Sequence, residues 1–239
     1  MSPPPDGGYP NQNTAEGQDA LNSLKAGADN TALGFEALFK NTSGSFNTAT
    51  GSAALFSNTS GSNNTANGDG ALARNTFGEN NTATGAGALL GNASGKNNTA
   101  TGAFALNVAT GGGNTATGFE TLLHNTTGGS NTANGVDALR NNTTGSGNIA
   151  LGNFAGQNLT VGSNNIDIGN PGVAGESNAI RIGAPAVHTA TFIAGIRGTT
   201  VPSGIQVVVG TNGQLGTVVS SQRFKEAIKP MGRAKRSFR

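Results

Sequence analysis

The apolar positions of this chain recur at a long fixed interval. The phrase Asn-Thr-Ala-x-Gly-x-x-Ala-Leu begins at Asn13, Asn30, Asn47, Asn64, Asn81, Asn98 and Asn131, and with variations at Asn114 (NTATGFETL) and Asn148 (NIALGNFAG). Degenerate copies begin at Asn165 (NNIDIG) and Asn178 (NAIRIG). The step is 17 residues, except for 16 between Asn98 and Asn114 and 13 between Asn165 and Asn178. Within a unit the apolar residues are Ala at positions 3 and 8 and Leu at position 9. Gly falls at position 5 and usually again at position 15, as in Gly51 and Gly61.

A repeat of this length is too short for a helical hairpin and too rich in Gly and Asn for a stable helix. It fits one coil of a parallel β-solenoid made of two short strands and two turns. The Gly pair marks two corners, where the backbone needs φ > 0 or close approach. The strands are expected at triplets such as Thr48-Ala49-Thr50 and at the Ala-Leu pairs, for example Ala54-Leu55. Stacking such units sets Asn on Asn, Thr on Thr and Leu on Leu, and Asn ladders stabilise stacked β-structure. About ten coils at ~4.8 Å per rung predict a rod of roughly 50 Å. The expected fold class is therefore all-β, a parallel β-solenoid or β-roll.

Composition makes the same point from another side. Gly accounts for 39 of 239 residues, and only 11% of residues are charged. The large apolar residues Leu, Ile, Val and Phe number 46, too few for one wide core. Each coil buries little, since one Leu contributes only about 2 kcal/mol. The outer apolar residues Phe35, Phe39, Phe56, Phe104 and Phe119 are accordingly expected to be covered by other copies of the chain, with a homotrimer as the preferred assembly.

Charge is uneven. From Arg223 onward there are seven basic residues and one acidic residue, a net +6. The preceding 222 residues hold seven bases and eleven acids, a net −4. The sequence pI near 9.2 belongs to the tail, and the repeats do not read as a nucleic-acid binder. There is no Cys, so disulfides, thiolate nucleophiles and Cys-ligated metals are excluded. No stretch approaches the ~18 apolar residues of a membrane span. The first ten residues have neither the basic start nor the apolar run of a signal peptide.

The Asn-Thr-Ala-x-Gly-x-x-Ala-Leu units, from Asn13 to about Gly183, resemble the head repeats of YadA-like trimeric autotransporter adhesins. The unit here is longer than in that family. The resemblance implies a trimeric β-roll at the cell surface. Residues 219–231 (VSSQRFKEAIKPM) resemble the opening of the endosialidase-type intramolecular chaperone domain, found at the C-termini of phage tail spikes and fibres. That domain assists trimerisation of the shaft and then cuts itself off. The resemblance implies Ser220 as nucleophile and Lys225 as its activating base, since a Ser hydroxyl needs a nearby proton acceptor. Ser221 stands where the family has Asp, and Phe224 where it has Leu. The pattern is not continued to Arg239, so the expectation is a remnant without self-cleavage.

These readings divide the chain into a disordered leader (1–12), a repeat shaft (13–183), a β connector (184–219) and the start of a chaperone domain with a basic tail (220–239). In the connector, residues 191–198 (TFIAGIRG) and 205–209 (IQVVV) read as strands, with an Asn-Gly turn at Asn212-Gly213. The expected role is a structural or adhesive shaft of a bacterial surface protein or phage fibre, located outside the cell or on the virion. Its expected partners are two further copies and a host-surface receptor or glycan. No cofactor or metal is expected: the repeat lacks the regular Asp of calcium-binding β-rolls, and His124 and His188 stand alone. An alternative is a solenoid whose Thr-Ala-Thr strands form a ligand- or ice-binding face.

Overall fold

A computed structural model describes residues 8–185, 187–194, 204 and 207–217. It is all-β. The repeat region forms one sheet of twelve strands in chain order. These are β1 (Gly8–Tyr9), β2 (Asn13–Glu16), β3 (Thr31–Leu33), β4 (Thr48–Thr50), β5 (Thr65–Asn67), β6 (Thr82–Thr84), β7 (Thr99–Thr101), β8 (Thr115–Thr117), β9 (Thr132–Asn134), β10 (Ile149–Leu151), β11 (Ile166–Ile168) and β12 (Ile180–Ile182). From β2 to β12 every neighbour is parallel and paired with its equivalent one unit later, as in Ala49 with Ala66 and Ala66 with Ala83. Within the leader, β1 runs antiparallel to β2, pairing Gly8 with Thr14 and Tyr9 with Asn13. The fold is the expected parallel solenoid, with coils spaced by about 17 residues.

The coil differs from expectation in one respect. It holds one strand, at positions 2–4, and not two. The Ala-Leu pairs lie in a turn, and their Leu residues take left-handed backbone, with φ of 51° at Leu38 and 53° at Leu55. A strand cannot pass through such a residue. The inter-coil bonding nevertheless continues through this turn: Leu38 N donates to Ala54 O at 2.9 Å and Lys40 N to Phe56 O at 3.0 Å. The left-handed turn swings each Leu into the interior, where Leu21 to Leu139 form a file of eight at position 9, all buried. Ala at positions 3 and 8 completes the thin core.

The two Gly positions act differently. At position 5 the backbone is left-handed: Gly51 has φ of +129°, and a Cβ there would stand 2.6 Å from Gly68 O. At position 15 φ is ordinary, and Gly is required because successive coils touch at that corner.

Asn supplies the rest of the interior. At position 1, each side chain spans two coils. Asn64 Nδ2 donates to Asn47 Oδ1 at 3.1 Å and to Gly78 O at 2.9 Å. Its Oδ1 accepts from Asn81 N at 3.0 Å and Asn81 Nδ2 at 3.1 Å. A second Asn file, at position 12, was not anticipated. Asn58 Nδ2 donates to Asn41 Oδ1 and to Gly61 O, both at 2.9 Å. Gly61 O also accepts from Asn47 Nδ2, so both files converge on the position-15 carbonyl. A buried amide left unpaired is costly, and these networks leave few unpaired. The second file breaks in the 16-residue coil, where Ala109 takes the Asn place. Asn92 Oδ1, which would accept from that missing rung, is left without a partner.

The outer Phe residues pair within the chain across adjacent coils. Phe39 and Phe56 stack at 5.2 Å, with Lys40 Nζ 4.9 Å from the Phe56 ring, and Phe104 meets Phe119 edge-on at 6.4 Å. Phe35, Phe104 and Phe119 remain exposed.

The remainder of the chain, from Ala190, is a separate unit. Its described part is a hairpin of β13 (Val207–Val209) and β14 (Leu215–Thr217). Gly210 N donates to Gln214 O at 2.8 Å across the turn containing Gly213 (φ 82°), the site of the Asn-Gly signal. The strand expected at 191–198 is not formed over 191–194.

Candidate functional site

Ser220 and Lys225, the pair implied by the chaperone resemblance, lie outside the described residues. The described chemistry is on the solenoid. Among the described residues no three His, Asp or Glu side chains cluster as a metal site would. His124 is exposed, and His188 uses Nδ1 to accept from Ala184 N at 2.9 Å.

The sheet presents one broad outward face built from strand positions 2 and 4, because alternate residues of a strand point to opposite sides. Position 3 points inward, and its Ala residues are buried throughout from Ala15 to Ala150. The position-2 file is Thr on eight consecutive rungs, Thr14 to Thr132, each in register with the next. Its hydroxyls repeat at the rung spacing of ~4.8 Å. Position 4 is less uniform, with Glu16, Leu33, Asn67 and Asn134 among its Thr residues.

The last three rungs change character. Position 2 becomes Ile149, Ile166 and Ile180, and position 4 becomes Leu151, Ile168 and Ile182. Ile180 and Ile182 are each 69% exposed. The inward position changes in the opposite sense. Asp167 takes the place of Ala and is 1% exposed, with neither carboxylate oxygen hydrogen-bonded. Arg181 follows it in register on the next rung. Arg181 forks onto Glu176, with Nε to Oε1 and Nη2 to Oε2 both at 2.7 Å.

These neighbours set the titration. Burial pushes the Asp167 carboxyl up to about 6; nearby Glu176 adds to the rise and Arg181 opposes it. The hydrogen bonds from Arg181 hold Glu176 below the usual carboxylate range. Asp167 is not among the candidate residues that the repeat pattern brings forward. The signal was present: it is a charged residue in the inward file, followed one rung later by a charge of opposite sign.

No family model, curated protein or solved structure matches this chain. Among the described residues no helix is long and apolar enough to cross a membrane.

Proposed function

We propose that the chain is the shaft of an extracellular fibre or surface adhesin, assembled from three copies, and that it displays or spaces a receptor- or glycan-binding end. The observation that supports this reading most is the unbroken register from β2 to β12, fixed by Asn side chains that bond coil to coil. Such a stack resists bending, because deforming one coil strains the hydrogen bonds to both neighbours. A spacer needs that property, and it needs no converging catalytic groups. The YadA-like repeat pattern points the same way.

The test is the native mass in solution by light scattering after size exclusion. One chain is 23.6 kDa, so the reading expects three times that mass. A well-behaved single-chain mass removes the trimer.

A second reading is favoured by the position-2 file. Eight in-register Thr hydroxyls form a regular one-dimensional lattice, suited to a ligand that is itself periodic, such as an ice surface. Thermal hysteresis of the purified protein checks it, and absence of activity ends it. The two readings differ in what the sheet face meets: bulk ligand in one, neighbouring chains in the other.

A further inference from the structure

From β2 to β10 the inward strand residue is a buried Ala, and in β11 it is Asp167. Neither Asp167 oxygen has a hydrogen-bond partner. Oδ2 lies against two glycine corners: a Cβ added at Gly172 would stand 3.0 Å from it and one at Gly156 3.4 Å from it, with Leu159 beside Gly172. An ionised carboxylate in such a place is costly unless it is paired. A cation is within reach. Arg181 is the in-register neighbour of Asp167 on β12, one strand spacing of ~4.8 Å away on the same side of the sheet. An arginine side chain spans that gap by a change of rotamer, with no movement of the backbone. In the structure Arg181 is forked on Glu176. Glu176 Oε1 also accepts from Val173 N at 2.9 Å, so this carboxylate holds the loop between β11 and β12 as well.

We propose that Arg181 exchanges partners as Asp167 gains and loses its proton, so that the terminal coil is fastened differently in acid and at neutral pH. With Asp167 neutral, Arg181 stays on Glu176, as described above. With Asp167 ionised, the guanidinium turns inward to it, and Glu176 keeps Val173 N–H and solvent. Among the described residues the charged groups that face Asp167 are Glu176 and Arg181, while the preceding coil sets Gly156 and Leu159 near it and no charge. The direction follows from electrostatics. Burial and Glu176 raise the Asp167 carboxyl to about 6 while Arg181 is held elsewhere. An Arg181 turned inward favours the ionised form and draws the carboxyl back down. The exchange therefore has its midpoint between the ordinary 3.8 and about 6, with the Glu176 arrangement on the acid side. Glu176 itself is held below the usual carboxylate range, so it is still ionised where Asp167 changes.

The experiment uses the full-length chain and follows two nuclear magnetic resonance signals between about pH 3.5 and 7.5. One is the Arg181 Nε–H, identified by its loss in Arg181→Lys. The other is the Val173 backbone amide, identified by valine-selective isotope labelling and its loss in Val173→Ile. The first reports where the guanidinium sits, and the second reports the charge and contacts of Glu176. Both are repeated in Asp167→Asn, which keeps the shape of the side chain and cannot ionise. That variant also separates Asp167 from His188, which packs against Gly183 at the end of the same coil.

The expected result is that both signals shift together along one single-proton curve with its midpoint between 3.8 and about 6, and that both stay at their acid positions in Asp167→Asn. An Arg181 signal that does not move in wild type overturns the exchange, because the guanidinium then stays on Glu176 whatever the charge of Asp167. An Arg181 signal that moves while Val173 stays still overturns it too, since Glu176 is then not released. Movement that persists in Asp167→Asn assigns the change to another group and overturns the role of Asp167. If Asp167→Asn loses its circular dichroism, the two wild-type signals decide alone, and either one staying flat overturns the proposal.

Discussion

Replacing Asn64 with Ala isolates what the Asn files contribute. The substitution removes four hydrogen bonds: those from Nδ2 to Asn47 Oδ1 and Gly78 O, and those to Oδ1 from Asn81 N and Asn81 Nδ2. Not every partner is orphaned. Asn47 Oδ1 keeps the backbone N–H of residue 64, Gly78 O keeps Asn75 Nδ2, and Asn81 Nδ2 keeps Gly95 O. The Asn81 backbone N–H loses its acceptor while fully buried. One orphaned donor costs about 1–3 kcal/mol and each of the other three bonds contributes about 1 kcal/mol net, so the loss is roughly 4–6 kcal/mol. The control is Thr65→Ala, one residue away on the exposed face, expected to cost under about 1 kcal/mol. Urea unfolding followed by circular dichroism gives the difference in midpoint. Amide hydrogen exchange then tests its location, because a solenoid loses coils locally as well as globally. The Asn81 amide should exchange faster by a larger factor than amides several coils away. A loss in Asn64→Ala no larger than in Thr65→Ala, or unchanged exchange at Asn81, would show that the Asn file contributes little.

Three further outcomes follow from the same structure. Gly51→Ala combines a left-handed φ with a Cβ 2.6 Å from Gly68 O, so it should cost several kcal/mol and lower the thermal midpoint far more than Ser52→Ala beside it. Asp167 binds its proton up to about pH 6 when folded and only to about 3.8 when unfolded; its contribution is therefore most favourable below pH 4 and declines as pH rises through 6, by at most about 3 kcal/mol. Asp167→Asn should match wild type near pH 4 and exceed it in stability near pH 8, and equal stabilities at pH 8 would contradict the burial argument. The Glu176–Arg181 pair has the opposite pH dependence, which is why the comparison is made between variants and not along one curve. At the chaperone-like segment, intact mass should give the full-length chain for both wild type and Ser220→Ala; a wild-type species ending at Val219 and absent from Ser220→Ala would show active cleavage.

Much of this architecture is legible in the sequence, because a repeat lets each residue type vote several times. The 17-residue period, the inward Ala and Leu and the first Asn file all follow from eight or more near-identical copies. The position-12 Asn file escaped because it is irregular: Leu24, Ala109 and Leu159 interrupt it, and an Asn outside a motif reads as surface. The second strand was wrongly expected because Ala-Leu is compatible with extended backbone when seen locally. What excludes a strand is the left-handed φ of Leu38 and its equivalents, which the packing of the turn imposes against Leu's own preference. The inverted polarity of β11 and β12 is visible only once the strand triplets are fixed, since a one-residue shift exchanges inside for outside. The Ser220–Lys225 pairing rests on family resemblance alone.

The antiparallel strand β1 has a consequence for how far the stack can grow. Each parallel rung offers an unpaired backbone edge that fits another rung of the same kind, whether from this chain or a different one. Gly8 and Tyr9 occupy that edge at the N-terminal rung in the reverse direction. The edge that β1 itself presents is only two residues long and runs against the direction a further coil would need. At this one edge a template for further parallel coils is thereby blunted, in the way that a short edge strand keeps a sheet protein from pairing with its neighbours.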